Sequence, residues 1–243
     1  MATCARGATA TSSADARTLL ERGAVTLLGQ MPWASNATFL VECALEGDTA
    51  RAVYKPGRGE RPLWDFPRRL YRREIAAYLL SEALGWSIVP LTLEREGPYG
   101  EGSLQAFVDA DFEQHYFTLV EKPENHEALK RICAFDLVAN NADRKSGHCL
   151  LGPGGTIHGV DNGLCFHVEP KLRTVIWEFG GEPIPDADVA DVRSFVDTGL
   201  PDELAALLSA DEQKALLRRA RAVVKAGCFP ENRGGRSYPW PLV

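Results

Sequence analysis

Asp143 and Asp161 lie at opposite ends of one short apolar stretch. The first sits in Ala139-Asn140-Asn141-Ala142-Asp143-Arg144-Lys145-Ser146-Gly147-His148, the second in Val160-Asp161-Asn162-Gly163. Gly152-Pro153-Gly154-Gly155 between them predicts a β-hairpin, which returns the chain close to where it left. One carboxylate then stands on the loop entering the hairpin and one on the loop leaving it, and both face one cleft. Two oxygen-donor groups so placed could hold a divalent cation and a polyphosphate between them. Either loop alone is ordinary turn chemistry, because Asn and Asp bond their own backbone in turns. The pair is the more specific signal.

The elements that must position these acids follow from periodicity. The run 125–140, carrying Leu129, Ile132, Cys133, Phe135, Asp136, Leu137 and Val138, predicts an amphipathic helix that delivers the chain to Asp143. Upstream, 14–22 predicts a short helix. The runs 24–30, 37–45, 49–54, 88–93 and 102–108 are apolar or β-branched, separated by turn residues, and predict five antiparallel strands. Pro67 suits the first turn of a helix reaching Leu84, with Gly85 as its stop. Its interior is apolar nearly all round, so Glu74, on a face with Tyr71 and Tyr78, calls for a partner. Helices are expected over 186–198, 201–208 and 211–226. The chain therefore reads as two parts, 1–108 with the sheet and one main helix and 109–243 mostly helical, with a boundary near Val108.

Composition bounds the function classes. The 243 residues suffice for a sizeable core at 45% apolar content, and 27 basic against 33 acidic residues give a net charge of -6, which does not recommend nucleic acid as partner. The six cysteines are scattered, without a Cys-x-x-Cys pair, which argues against a disulfide framework or zinc ribbon. The first 13 residues lack an apolar segment and do not read as a signal peptide, and no run approaches the roughly 18 apolar residues of a membrane span. A soluble cytoplasmic protein is expected, with peripheral membrane contact left open.

The Asp-Arg loop, the short hairpin and the Asp161-Asn-Gly-Leu-Cys-Phe166 that follows resemble the catalytic and metal-binding loops of the phosphatidylinositol 3- and 4-kinase family, closest to the type II phosphatidylinositol 4-kinases. More narrowly, the chain is similar to an actinobacterial group of phosphatidylinositol-kinase-like proteins. The likeness covers about 30–179. It implies an α+β, protein-kinase-like two-lobed fold: a five-stranded antiparallel N-lobe sheet with one helix, then a mainly helical C-lobe. It also implies ATP with Mg²⁺ or Mn²⁺, and transfer of phosphate to a hydroxyl on a phosphoinositide or phosphorylated small molecule. Carried position by position, Lys55 matches the lysine on the ATP phosphates and Glu74 its partner; Asp143 matches the catalytic aspartate and Asp161 the metal-binding one. Arg144 would support the loop or meet transferring phosphate oxygens. Ser35, Asn36 and Thr38 fall where kinase-like folds cover the phosphates, and Gln105, Phe107 and Val108 where the hinge meets adenine. Lys171 and Arg173 would meet an anionic acceptor.

One position departs from the family. His148 stands where an asparagine usually supplies a second metal ligand, and imidazole suits transition metals better than Mg²⁺. This leaves room for Mn²⁺, for a spectator role, or for a nucleotide-binding pseudokinase that acts through partners. A protein serine/threonine kinase is a further alternative, weakened by the absence of an Ala-Pro-Glu motif. A transition-metal site built from His148, Cys149, His158, Asp161, Cys165 and His167 is disfavoured, because neighbours on a strand point to opposite faces.

Overall fold

The computed structural model describes residues 13–31, 36–232, 234 and 236–242. In chain order the elements are α1 (Ser13–Arg22), β1 (Ala24–Gln30), β2 (Phe39–Leu45), β3 (Asp48–Pro56), α2 (Tyr71–Ala83), β4 (Thr92–Gly97), β5 (Gly100–Ala106), α3 (Tyr116–Leu119) and α4 (His126–Ala139). The hairpin strands β6 (Cys149–Leu151) and β7 (Ile157–Gly159) follow, then α5 (Asp186–Thr198), α6 (Asp202–Leu207) and α7 (Ala210–Ala226). The first five strands form one antiparallel sheet of order β1-β2-β3-β5-β4. No helix among the described residues is long and apolar enough to cross a membrane.

Local chemistry explains most boundaries. Gly85 takes φ +71°, a conformation costly for a side chain, and so ends α2. Asn140 takes the same left-handed region (φ 57°) and ends α4, which turns the chain sharply into the loop of Asp143. Two expectations shift. The first helix turn begins at Tyr71 rather than Pro67, because Arg69 at φ 67° breaks the path, and Glu60 Oε1 caps the Tyr71 amide at 2.7 Å. The fourth strand is 92–97, not 88–93. The Ile88 and Val89 amides donate instead to Ser81 Oγ at 2.9 and 3.3 Å, Pro90 has no amide to offer, and both side chains are buried in the larger core.

Two apolar clusters hold the molecule. The smaller one joins Leu20 of α1 to Val41, Cys43, Ala52, Tyr54 and Leu104 of the sheet. The larger one contains the face of α4, the hairpin, α5 and α7, and also Ala76, Ala77, Tyr78 and Leu80 of α2. Apolar packing therefore unites α2 with the C-terminal half, although the helix also touches β4 and β5. A helix seated between sheet and helical body can hold a charged residue at a fixed height over the cleft between them.

Gly102 shows how tightly β3 is set. A Cβ there would lie 2.4 Å from the Lys55 carbonyl oxygen and 2.8 Å from Pro56 Cα, both backbone atoms of the paired strand. Gly102→Ala is expected to cost about 1–3 kcal/mol, as overpacking does. A shift in the denaturation midpoint checks it.

Candidate active site

A cavity of about 470 Å³ opens between the sheet and the helical half. Val53 and Lys55 line it from β3, Gln105–Val108 from the end of β5, Glu74 from α2, and Asp143, Leu150, Val160 and Asp161 from the opposite side. Its wall is largely apolar, as a site for a flat ring requires, with charge gathered at one end.

That charge is organised by Lys55. Its ammonium contacts Glu74 Oε1 and lies 2.8 Å from Asp161 Oδ1. Burial pulls the lysine's pKa down, but Asp161 and Glu74 outweigh it and hold the ammonium above its ordinary range. In return, Lys55 keeps the Asp161 carboxyl well below the usual carboxylate range. Burial pushes Glu74 upward against the lysine's pull. Glu74 has a second tie, since its Oε2 accepts the Asn162 amide at 2.9 Å. The carboxylate that looked stranded on an aromatic face thus joins strand β3 to the residue after Asp161. Asp161 itself adopts φ 56°, which an Asp tolerates better than most residues, and half of its side chain is exposed to the cleft.

Beneath these groups lies a buried polar cluster. Arg144 is fully buried and its guanidinium is bidentate to Asp136 of α4, Nε to Oδ2 at 2.9 Å and Nη2 to Oδ1 at 2.8 Å. Its remaining donors reach the Val160 carbonyl at 2.7 Å and Asn162 Oδ1 at 2.8 Å. Asn162 Nδ2 closes on the Gly159 carbonyl. Asp136 also accepts from Asn141 Nδ2, and Asn141 Oδ1 accepts the Asp143 amide at 2.9 Å. Arg144 therefore cannot meet a phosphate in the cleft; every donor is spent on fixing the loops that carry Asp143 and Asp161. Asp136, Asn141 and Asn162 carry this arrangement without having been singled out as site residues. A lone carboxylate inside the apolar run of α4 was the signal for Asp136. Asn162 offered none beyond its place beside Asp161.

Among the described residues the Asp143 carboxylate meets only Lys145, whose Nζ is 3.4 Å from Oδ2, and it lines the cleft. Burial pushes its pKa up to about 6, with Lys145 and Arg173 opposing. His148 is pushed down to about 4 by burial and is a neutral imidazole at pH 7. Its Nδ1 accepts the Lys145 amide at 3.3 Å, which leaves the ring proton on Nε2, 3.3 Å from Asp161 Oδ2. As placed, His148 offers Asp161 a proton and not a lone pair to a metal.

The remaining predicted residues are spread around the same cavity. Asn36 and Thr38 line it, and Asn36 Oδ1 accepts the Arg61 amide at 2.9 Å; Ser35 lies outside the described residues. Gln105 is buried in the strand and turns its Nε2 to Thr92 Oγ1, whereas the Phe107 amide is used by the Arg51 carbonyl at 3.0 Å. The Val108 amide has no protein acceptor among the described residues. Lys171 is spent on Asp65 at 2.9 Å and stacks near Trp64 and Phe66, so of the two basic residues expected to meet an acceptor only Arg173 has no ion-pair partner among the described residues. No group of three or more His, Cys, Asp or Glu among the described residues is arranged for a metal. His167 packs on Phe66 and Cys149 and Cys165 are buried, so the alternative transition-metal constellation is dispersed.

Removing one partner of a buried ion pair strands the other. Asp136→Leu alone is expected to cost about 3–5 kcal/mol, and the double change with Arg144→Met to recover most of it. A double-mutant cycle in denaturant measures the coupling.

No family model matches the chain. Among solved structures, hydra Fam20 solved with sugar superposes with a TM-score of 0.54 at 14% identity, covering 93% of this chain and 95% of that one. The Helicobacter pylori proinflammatory kinase CtkA superposes at 0.50 and 10% identity, covering 85% and 93%. At such identities the likeness shows the fold alone, and the fold is kinase-like. A curated relative, Protein Rv2133c of Mycobacterium tuberculosis, is 40% identical over 275 aligned positions that take in 98% of this chain and 99% of the relative. By that identity and coverage the chain belongs to the family of Protein Rv2133c.

Proposed function

We propose that the protein transfers the γ-phosphoryl group of ATP to a hydroxyl group. The observation that supports this most is the bridging of Lys55 to both Glu74 and Asp161 inside a cavity that Asp143 also lines, four residues drawn from separate segments of the chain. Phosphoryl transfer asks mainly for positioning and charge neutralisation, and these groups supply both. Lys55 would hold the α- and β-phosphates. The Val108 amide, without an acceptor among the described residues, would serve adenine between Val53 above and Leu150 and Val160 below.

The residues present fit a hard divalent cation. Asp161 presents a half-exposed oxygen-donor carboxylate, and Mg²⁺ commonly takes one or two carboxylates and completes its shell with phosphate oxygens and water. Once bound there, Mg²⁺ or Mn²⁺ would neutralise charge on the β- and γ-phosphates. The attacking hydroxyl would give its proton to Asp143 as its oxygen bonds phosphorus and ADP leaves. Lys145 and Arg173 bear on the same carboxylate, and their positive charge favours an anionic acceptor, a phosphoinositide headgroup or a phosphorylated small molecule. A cytoplasmic site of action belongs to the same proposal and accords with five unpaired cysteines among the described residues.

A second reading, nucleotide binding without transfer, draws on one observation: both oxygens of Asp161 already have protein partners, Lys55 and His148. The two readings separate on mutants. Thermal stabilisation by ATP with Mg²⁺ or Mn²⁺ should vanish in Asp161→Asn and Lys55→Met and persist in Asp143→Asn. ATP consumption in Asp143→Asn should fall 100-fold or more, by rough analogy with loss of other catalytic groups. Equal consumption in wild type and Asp143→Asn sinks the transfer reading.

The raised pKa of Asp143 sets a pH dependence. Turnover by the free enzyme should climb as pH rises through about 6, where this carboxyl ionises. Stability runs the other way. A folded-state value above the unfolded one contributes stability that is present below pH 4 or so and lost as pH rises through about 6. Asp143→Asn should therefore be more stable than wild type at pH 8, on the order of 1–2 kcal/mol given the side chain's partial exposure, as denaturant melts would show.

A further inference from the structure

The loop bearing Asp143 is held from a third direction, by residues late in the chain. Arg144 bridges in parallel to Thr174, its amide donating to the Arg173 carbonyl at 3.0 Å and its carbonyl accepting the Val175 amide at 3.1 Å. Thr174 in turn donates its own amide to the Ser237 carbonyl at 3.1 Å. That carbonyl also takes the Trp177 indole N–H at 3.4 Å, and the Trp177 and Tyr238 rings meet edge to face with centroids 6.5 Å apart. From there the chain runs on to Leu242, whose carbonyl accepts the Ser146 amide at 2.8 Å.

With the segment in place Ser146 and Thr174 are both buried, so in the intact chain these amides rely on its carbonyls and not on water. The segment thus wraps residues 144–146 and 173–175 together. Both contacts to the amides are made by backbone carbonyls, so presence of the segment matters more than its side chains. None of residues 237–242 lines the cavity of Lys55, Glu74 and Asp161.

We propose that segment 237–242 is a clamp that positions the Asp143 loop, needed for phosphoryl transfer and not for nucleotide binding. The transfer half of this statement rests on the function proposed above; the clamp itself does not. Without the segment, the Ser146 and Thr174 amides lose their acceptors, the turn after Lys145 loosens, and Asp143 is set less sharply toward the acceptor. The Lys55, Glu74 and Asp161 contacts, anchored through α2, Asn162 and the pairing of the Arg144 guanidinium with Asp136 on α4, stay in place.

The test compares the full chain with one ending at Arg236, using ATP and Mn²⁺ as probes. Hydrogen exchange of the peptide spanning 141–149 should quicken in the shortened chain, while thermal stabilisation by ATP and Mn²⁺ is kept. The kcat for ATP consumption should fall 10-fold or more with KM for ATP within 2-fold, and the synthetic peptide Ser-Tyr-Pro-Trp-Pro-Leu-Val added in trans should restore it. If the Arg236 truncation does not fold, a chain ending at Pro239 removes the Leu242 acceptor alone and should quicken exchange at Ser146 while sparing Thr174. Unchanged exchange over 141–149 overturns the clamp. So does parallel loss of nucleotide binding and turnover, which marks a merely structural segment. A full-length protein that consumes no ATP defeats the transfer reading instead, and the exchange result still decides the clamp.

Discussion

The arrangement depends first on one buried guanidinium. Arg144 sits with no solvent exposure between helix α4 and the two loops of the hairpin, and its planar fork matches the Asp136 carboxylate on one side and the Val160 and Asn162 acceptors on the other. Desolvating an ion pair is costly, and an apolar substitute of similar volume is often no less stable. What the pair supplies that a Leu and a Met could not is direction. It fixes the backbone immediately after Asp143 and on both sides of Asp161, so two acids distant in sequence keep one spacing.

A second chain of contacts links that cluster to the sheet. Asn162 donates its amide to Glu74, Glu74 holds Lys55, and Lys55 reaches Asp161. Because α2 shares its apolar face with the larger core, Glu74 is held against the body that carries Asp161 rather than riding with the sheet alone. The Ile88 carbonyl, accepting the Gly159 amide at 2.9 Å, adds a backbone tie between the same two halves. The groups proposed to bind phosphate and cation are thus prearranged by packing, and under that proposal little ordering is left for a ligand to bring about.

His148 illustrates how a backbone contact can decide side-chain chemistry. A residue type known as a metal ligand is turned into a hydrogen-bond donor because one peptide N–H occupies the lone pair of its other nitrogen. The residue name alone left its role open between ligand and spectator, and a neighbouring amide selects between them.

Local sequence determined a good deal. The helix 186–198, the strand 24–30, the hairpin around Gly152–Gly155 and the stop at Gly85 were legible because each rests on a period or on a residue that tolerates left-handed backbone. That Glu74 needs a partner was legible for the same kind of reason, since a charge on an apolar helix demands one; Lys55 as that partner followed from the family resemblance, and the structure pairs them. What the tertiary structure alone decided were properties set by neighbours far away in sequence. Ile88 and Val89 read as strand but were taken by Ser81 and the core; Arg144 read as either a loop support or a phosphate contact and was fixed as the former by Asp136, and Lys171, expected to meet an acceptor, was spent on Asp65. A side chain's type fixes which bonds it can make. Which of them it does make is settled by the groups that folding buries beside it, because a buried donor or charge takes the nearest partner that replaces water.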